Sequence, residues 1–176
     1  LSFVEVSDAD LDNDTYESAE KQYLQNNAKQ AISGFSSYVS KFPNGLHALN
    51  ANFYLAQLYF ADNLEVNSVK HYEFVIAQSR NEFTEQALAR LCQVYLKGKN
   101  YDSAIPVLKR LEAEAEFPQN TTYAQSNLMK AYYEKADYTN AVIYADKVLA
   151  NDKTDDRIKS DAQIIVARAA IKTNNE

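Results

Sequence analysis

Ala31, Ser68, Ala104 and Ala141 stand 37, 36 and 37 residues apart, and a β-branched aliphatic (Ile32, Val69, Ile105, Val142) follows each directly. Tyr23, Tyr59, Tyr95 and Tyr132 precede them by eight or nine residues. A fixed period of this length constrains the fold more than composition can. It marks one supersecondary unit copied along the chain, which buries its apolar face only by stacking on its neighbours.

The unit itself is helical. Leu88, Leu91, Cys92 and Tyr95 fall at intervals of three, one and three, the spacing of one helix face. Gly98 then predicts a helix stop, and Asp102 an N-cap for a second helix carrying Ile105, Leu108 and Leu111. Phe117-Pro118 ends that helix, as Phe42-Pro43-Asn44-Gly45 ends its counterpart in the first segment. The second segment carries Tyr54-Leu55-Ala56 and Leu58-Tyr59, a break near Asp62-Asn63, then a stripe of Val66, Val69, Tyr72 and Ile76. The fourth has Leu128, Met129 and Tyr132, a break at Lys135-Ala136-Asp137, then Tyr138, Ala141 and Val142. Residues 155–173 read as a fifth first helix through Asp161, Ala162, Ile165, Val166 and Ala169, with Ile164 and Ile171 outside that stripe. The small residues predict the places where paired helices touch, with Ala19, Ala56 and Cys92 opposite them.

Composition narrows the classes of function. Three Gly and three Pro in 176 residues cannot supply the turns of an all-β fold. A net charge of −6 without any stripe of Lys and Arg argues against a nucleic-acid partner. One cysteine, Cys92, excludes an internal disulfide. No run approaches the roughly 18–20 apolar residues of a membrane span.

Leu91-Cys92, Tyr95, Gly98, Tyr101, Ala104-Ile105 and Pro118, with Leu55-Ala56, Tyr59, Tyr72, Tyr132, Tyr138 and Ala141, resemble the tetratricopeptide repeat family. The resemblance runs from about residue 15 to 173, with a period two or three residues above the family's usual ~34. It implies an all-α right-handed solenoid of four helix-turn-helix repeats plus a fifth first helix. Residues 15–176 are expected to form a single solenoid, with residues 1–14 a leader or the remnant of a preceding element, and the whole a piece of a longer protein. The long period and the Phe-Pro-Asn joint are also similar to a bacterial envelope subset, which includes the periplasmic protein of the Tol-Pal system and a lipoprotein of outer-membrane assembly. That implies a periplasmic or outer-membrane-associated setting.

No catalytic constellation emerges, and no enzyme, cofactor or metal is expected. His47 and His71 lie in different segments without Cys or carboxylate at ligand spacing, and Cys92 takes a packing position. The resemblance implies a scaffold that binds an extended protein or peptide segment in a groove lined by first helices. The groove residues expected are Asn50, Phe53, Gln57 and Phe60 in the second repeat, Gln86, Arg90, Gln93 and Lys97 in the third, and Tyr123, Asn127, Lys130 and Tyr133 in the fourth. Aromatics would give contact area, amides would bond a peptide backbone and cations would take an acidic group. Phe53 and Phe60 packing between repeats is the competing reading. A structural array that self-associates through its ends, and the helical part of an envelope carbohydrate-uptake component, are the alternatives.

Overall fold

A computed structural model describes residues 7–174, and among them the chain is all α, with nine helices and no strand. They are α1 (Asp8–Leu24), α2 (Ala28–Lys41), α3 (Ala48–Ala61), α4 (Glu65–Ala77), α5 (Thr84–Lys97), α6 (Tyr101–Glu114), α7 (Pro118–Glu134), α8 (Tyr138–Ala150) and α9 (Asp156–Asn174). By packing, the chain divides into two compact units, Leu1–Ala87 and Leu88–Glu176.

The period is carried by the backbone as well as the side chains. Asn26, Asn63, Lys99 and Ala136 adopt left-handed φ of 59°, 58°, 54° and 58°. Each lies five residues before the small residue of its repeat. The amide after each one closes the turn on the preceding helix: Asn27 donates to Gln22 O, Leu64 to Tyr59 O, Asn100 to Tyr95 O and Asp137 to Tyr132 O, all at 2.9 Å. These bonds satisfy helix-end carbonyls that would otherwise lack a partner. Tyr23 is therefore out of register by one position; Gln22, nine residues before Ala31, occupies the place of the other tyrosines.

Three expected boundaries shift. Gly98 is not the left-handed residue, which is Lys99. The N-cap of α6 is Asn100, whose side chain accepts from Ser103 N at 3.3 Å, while Asp102 sits in the first turn. The first helix begins before residue 15, at the acidic run after Asp8. That run forms the opening turns of α1, capped by Ser7 and favoured by the helix dipole through Asp8 and Asp10.

Ala31, Ser68, Ala104 and Ala141 are completely buried, and so are Ala56 and Cys92 opposite them. In the first hairpin Gly34 on α2 lies close against Ala19 on α1. A Cβ added at Gly34 would lie 2.8 Å from Ala19 Cβ. Gly34→Ala is thus expected to destabilise by about 1–2 kcal/mol, overpacking outweighing the gain in helix propensity. Urea unfolding checks this, and Ala19→Gly in the same chain should recover most of the loss.

The stripe proposed for α4 is rotated from its expected place. Ser68, His71, Tyr72 and Val75 are buried, whereas Val66 is 82% exposed. The core of the first unit gathers Tyr16, Ala19, Ala31, Phe35, Tyr38, Ala51 and Leu55. That of the second gathers Leu91, Leu108, Leu111, Leu128, Met129 and Val148, all fully buried.

Candidate partner-binding site

Within the first unit, the expected groove residues on α3 are largely committed to packing. Phe53 is 4% exposed, so it lines no accessible surface. Its ring stacks on Phe83 at 4.2 Å and meets Tyr72 edge-on at 6.3 Å. Gln57 accepts from the Tyr72 hydroxyl. Asn50 donates weakly to the Tyr16 hydroxyl at 3.5 Å, and Phe60 is half-buried. Packing was the competing reading for the two phenylalanines, and it holds for Phe53.

The Phe53–Phe83 stack has a twin. His47, just before α3, stacks on Tyr16 of α1 at 4.2 Å, as Phe83, just before α5, stacks on Phe53 of α3. Tyr16 and Phe53 are 37 residues apart, His47 and Phe83 are 36 apart. Within the first unit, the aromatic that follows each helix pair therefore stacks on the first helix of that pair. The sequence carried this signal in the spacing of His47 and Phe83.

A buried polar network fixes the same joint. Asp12, 5% exposed, accepts from Tyr38 Oη at 2.5 Å and from Leu46 N at 3.0 Å. Tyr38 Oη in turn accepts from His47 N at 2.8 Å. Burial and the Asp12 hydrogen bond push the Tyr38 hydroxyl up to about 12, so it stays a donor. A charged carboxylate buried this deeply is tolerated because each contact is a charge-assisted hydrogen bond.

On α5, Gln86, Gln93 and Lys97 are exposed, and Arg90 donates to Gln93 Oε1 at 3.3 Å. On α7, Tyr123 is half-buried and its hydroxyl is pushed up to about 12, chiefly by burial. Asn127 Nδ2 is used within the helix, donating to Tyr123 O at 2.9 Å.

Lys130 and Tyr133 meet at an open cleft. It lies between α7 and α9, has a volume of about 310 Å³, and is also lined by Glu134, Asp161, Ile164, Ile165 and Arg168. Register explains why it opens. Ala124 and Ala131 of α7 are fully buried, and the residues 37 positions on are Asp161 and Arg168. Two charged side chains on α9 replace two packed methyls. Asp161, expected on the buried stripe of the fifth helix, instead faces this cleft and pairs loosely with Lys130 at 3.8 Å. Ile164, 47% exposed, supplies an apolar wall beside the charges.

Burial pushes the Cys92 thiol up to about 12, far from a thiolate nucleophile. His71 is buried and its pKa falls to about 4, mainly from desolvation and then from Lys70. Among the described residues, no group of three or more His, Cys, Asp or Glu is placed to hold a metal, and no helix is long and apolar enough to cross a membrane.

Repeated hairpins of this geometry define a helical-repeat protein. The sequence matches the tetratricopeptide repeat-like domain over residues 4–121 and the tetratricopeptide repeat over residues 76–168. The chain belongs to the tetratricopeptide repeat-like family. No curated protein matches it. Among solved structures, the crystal structure of MamA protein is similar at a TM-score of 0.59 and 16% identity, over 93% of this chain and 82% of that one. A second crystal structure of MamA gives 0.57 at 15% identity, over 98% of each chain. The nearly identical TPR-like repeats of a putative kinesin light chain from Podosopora anserina give 0.53 at 17% identity, over 97% of this chain and 90% of that one. At these identities the likeness speaks to fold.

Proposed function

We propose that this protein is a non-catalytic scaffold for protein–protein interaction, and that the α7–α9 cleft takes an extended segment of the partner. The observation that carries this reading is the exchange of buried Ala124 and Ala131 for Asp161 and Arg168 one repeat later, at the point where the packed wall opens. The tetratricopeptide repeat family supports the general role of scaffold. Tyr133, Ile164 and Ile165 offer a floor for an apolar side chain. Lys130 and Arg168 flank it as donors, with Glu134 and Asp161 as acceptors. Charges of both signs around a small apolar floor favour a segment of mixed charge, selected by complementarity more than by area. The 36–37 residue period and the Phe-Pro joints support an envelope setting for that encounter.

Panning a phage-displayed library of linear peptides against the 176-residue chain, followed by fluorescence anisotropy on the synthesised winners, tests the cleft. Lys130→Glu together with Arg168→Glu should weaken binding by about tenfold or more, since reversed charges oppose the ligand's acids. Affinity that is unchanged in this variant would remove the cleft from the proposal.

A further inference from the structure

The first unit holds a cavity of about 400 Å³ within its own helices. Ser36, Val39 and Ser40 on α2, Tyr59 on α3, and Lys70 and His71 on α4 form its walls, over the fully buried Leu55.

The repeat explains why this space is open. In the second unit, Tyr132 and Tyr144 stack at 5.7 Å, and Tyr59 and His71, each 73 residues earlier, stack at 5.8 Å. Beside the later stack, long side chains close in: Lys109 lies over the Tyr132 ring at 5.6 Å, and Glu112 pairs with Lys147 at 3.3 Å. In the same register the first unit has Ser36 and Val39, which are too short to cover the rings. Lys70 stands in the register of Ile143, so a cation enters where the later repeat has an aliphatic.

The polar groups lining the cavity define what fits it. His71 is 6% exposed, and its Nδ1 meets Asn52 Oδ1 at 2.8 Å. Asn52 Nδ2 donates to Ala48 O at 2.8 Å, so Oδ1 accepts and Nδ1 carries the ring proton. Nε2 is then an acceptor, on a ring that forms part of the cavity wall. Burial holds that ring neutral, its pKa lowered to about 4. Ser36 Oγ and Tyr59 Oη lie 3.4 Å apart nearby, each able to donate or accept. Among the described residues, Lys70 is the one charged side chain of the lining. One ammonium and a buried neutral acceptor call for a ligand that brings both an anion and a donor. Phosphate carries more charge than a single ammonium matches. A neutral polyol leaves Lys70 without a counter-charge.

We infer that this cavity is a binding site for a small hydroxycarboxylate, with its carboxylate on Lys70 and a hydroxyl donating to His71 Nε2. The remaining hydroxyls of such a ligand exchange hydrogen bonds with Ser36, Ser40 and Tyr59. The site shares no lining residue with the α7–α9 cleft, so a partner segment and this ligand occupy different surfaces.

Calorimetric titration of the 176-residue chain with glycolate, tartrate, gluconate and shikimate tests the assignment, with sorbitol and inorganic phosphate as comparators. At least one hydroxycarboxylate should bind saturably with a Kd of about 1 mM or tighter. Sorbitol and phosphate should bind about tenfold more weakly or not at all. Lys70→Met, at an exposed position, should weaken binding about tenfold or more, since it removes a charge-assisted hydrogen bond. Val39→Glu should abolish binding by placing a carboxylate in the lining, and Lys130→Glu should leave it unchanged. On saturation, the nitrogen shift of His71 Nε2 should move while the ring keeps its neutral Nδ1–H form. Absence of saturable binding by all four acids overturns the inference, as does binding indifferent to Lys70→Met. Phosphate that binds as tightly as the best acid would make this a plain anion site and overturn it too, and so would an imidazolium form of His71 in the complex.

Discussion

Gly45→Ala is expected to lower stability by about 3–4 kcal/mol, a large effect for one methyl group in a loop. A Cβ built at Gly45 would lie 2.5 Å from Asp12 Oδ2, 2.5 Å from Tyr38 Oη and 2.8 Å from Phe42 Cβ. None of these atoms can yield freely. Asp12 is held by Tyr38 and Leu46 N, Tyr38 by His47 N, and both side chains are buried. Moving the carboxylate strips a buried charge of its donors, which costs far more than the hydrogen bonds contribute in the intact fold. The joint between α2 and α3 then loosens, and with it the His47 stack on Tyr16. Urea unfolding followed by circular dichroism measures the loss. Gly98→Ala is the control: the nearest atoms to its Cβ would be Tyr95 O and Val94 O at 3.7 Å, and its φ is not positive. That variant should stay within about 0.5 kcal/mol of the parent.

The second large effect depends on pH. His71, 6% exposed, bonds through Nδ1 to Asn52 Oδ1 at 2.8 Å. Asn52 Nδ2 donates to Ala48 O at 2.8 Å, which orients the amide so that Oδ1 accepts and His71 Nδ1 carries the proton. The ring also stacks on Tyr59 at 5.8 Å between centroids. Burial, aided by Lys70, lowers its pKa from 6.5 to about 4. Between those values the unfolded chain takes up a proton that the folded chain refuses, so stability falls as pH falls. The contribution is negligible above pH ~7 and grows to about 3 kcal/mol near pH 4. Carboxylates titrate over the lower part of this window, so the difference between parent and His71→Gln isolates the histidine. Urea midpoints, compared at about pH 7 and about pH 4.5, should converge between the two proteins as pH drops. A constant gap would show that His71 is not held neutral by burial.

The repeat was legible because its small residues and tyrosines sit where helices touch, and contact tolerates few side chains. The residues that turn the chain were not legible. Asn26, Asn63, Lys99 and Ala136 share one backbone conformation with three different side-chain types. The turn is set by main-chain hydrogen bonds back to the first helix, which sequence does not encode residue by residue. Asp12 was hidden for another reason: a carboxylate inside an acidic run reads as solvated. Only the fold brings Tyr38 and Leu46 N to it. Phe53 looked like a groove aromatic because α-helical spacing alone cannot distinguish a face turned to solvent from one covered by the residue before the next helix.

The candidate cleft was half visible. Lys130 and Tyr133 follow from laying α7 against the earlier first helices, and they do meet at an opening. Asp161 and Arg168 were within reach of the same exercise, since each stands 37 residues after a buried alanine. A charge in an alanine's register is the sign that packing gives way to a surface. Gln57 on α3 and Asn127 on α7 spend polar atoms on their own unit, on Tyr72 and on Tyr123 O.

Nuclear magnetic resonance shift mapping with the tightest library-selected peptide tests the central claim most directly, because it reads where a partner segment sits without altering the chain. The amides of Lys130, Tyr133, Ile164 and Arg168 should show the largest changes, with saturation matching the anisotropy curve. Changes centred instead on the exposed faces of α2, α6 or α8, with the α7–α9 cleft silent, would contradict it.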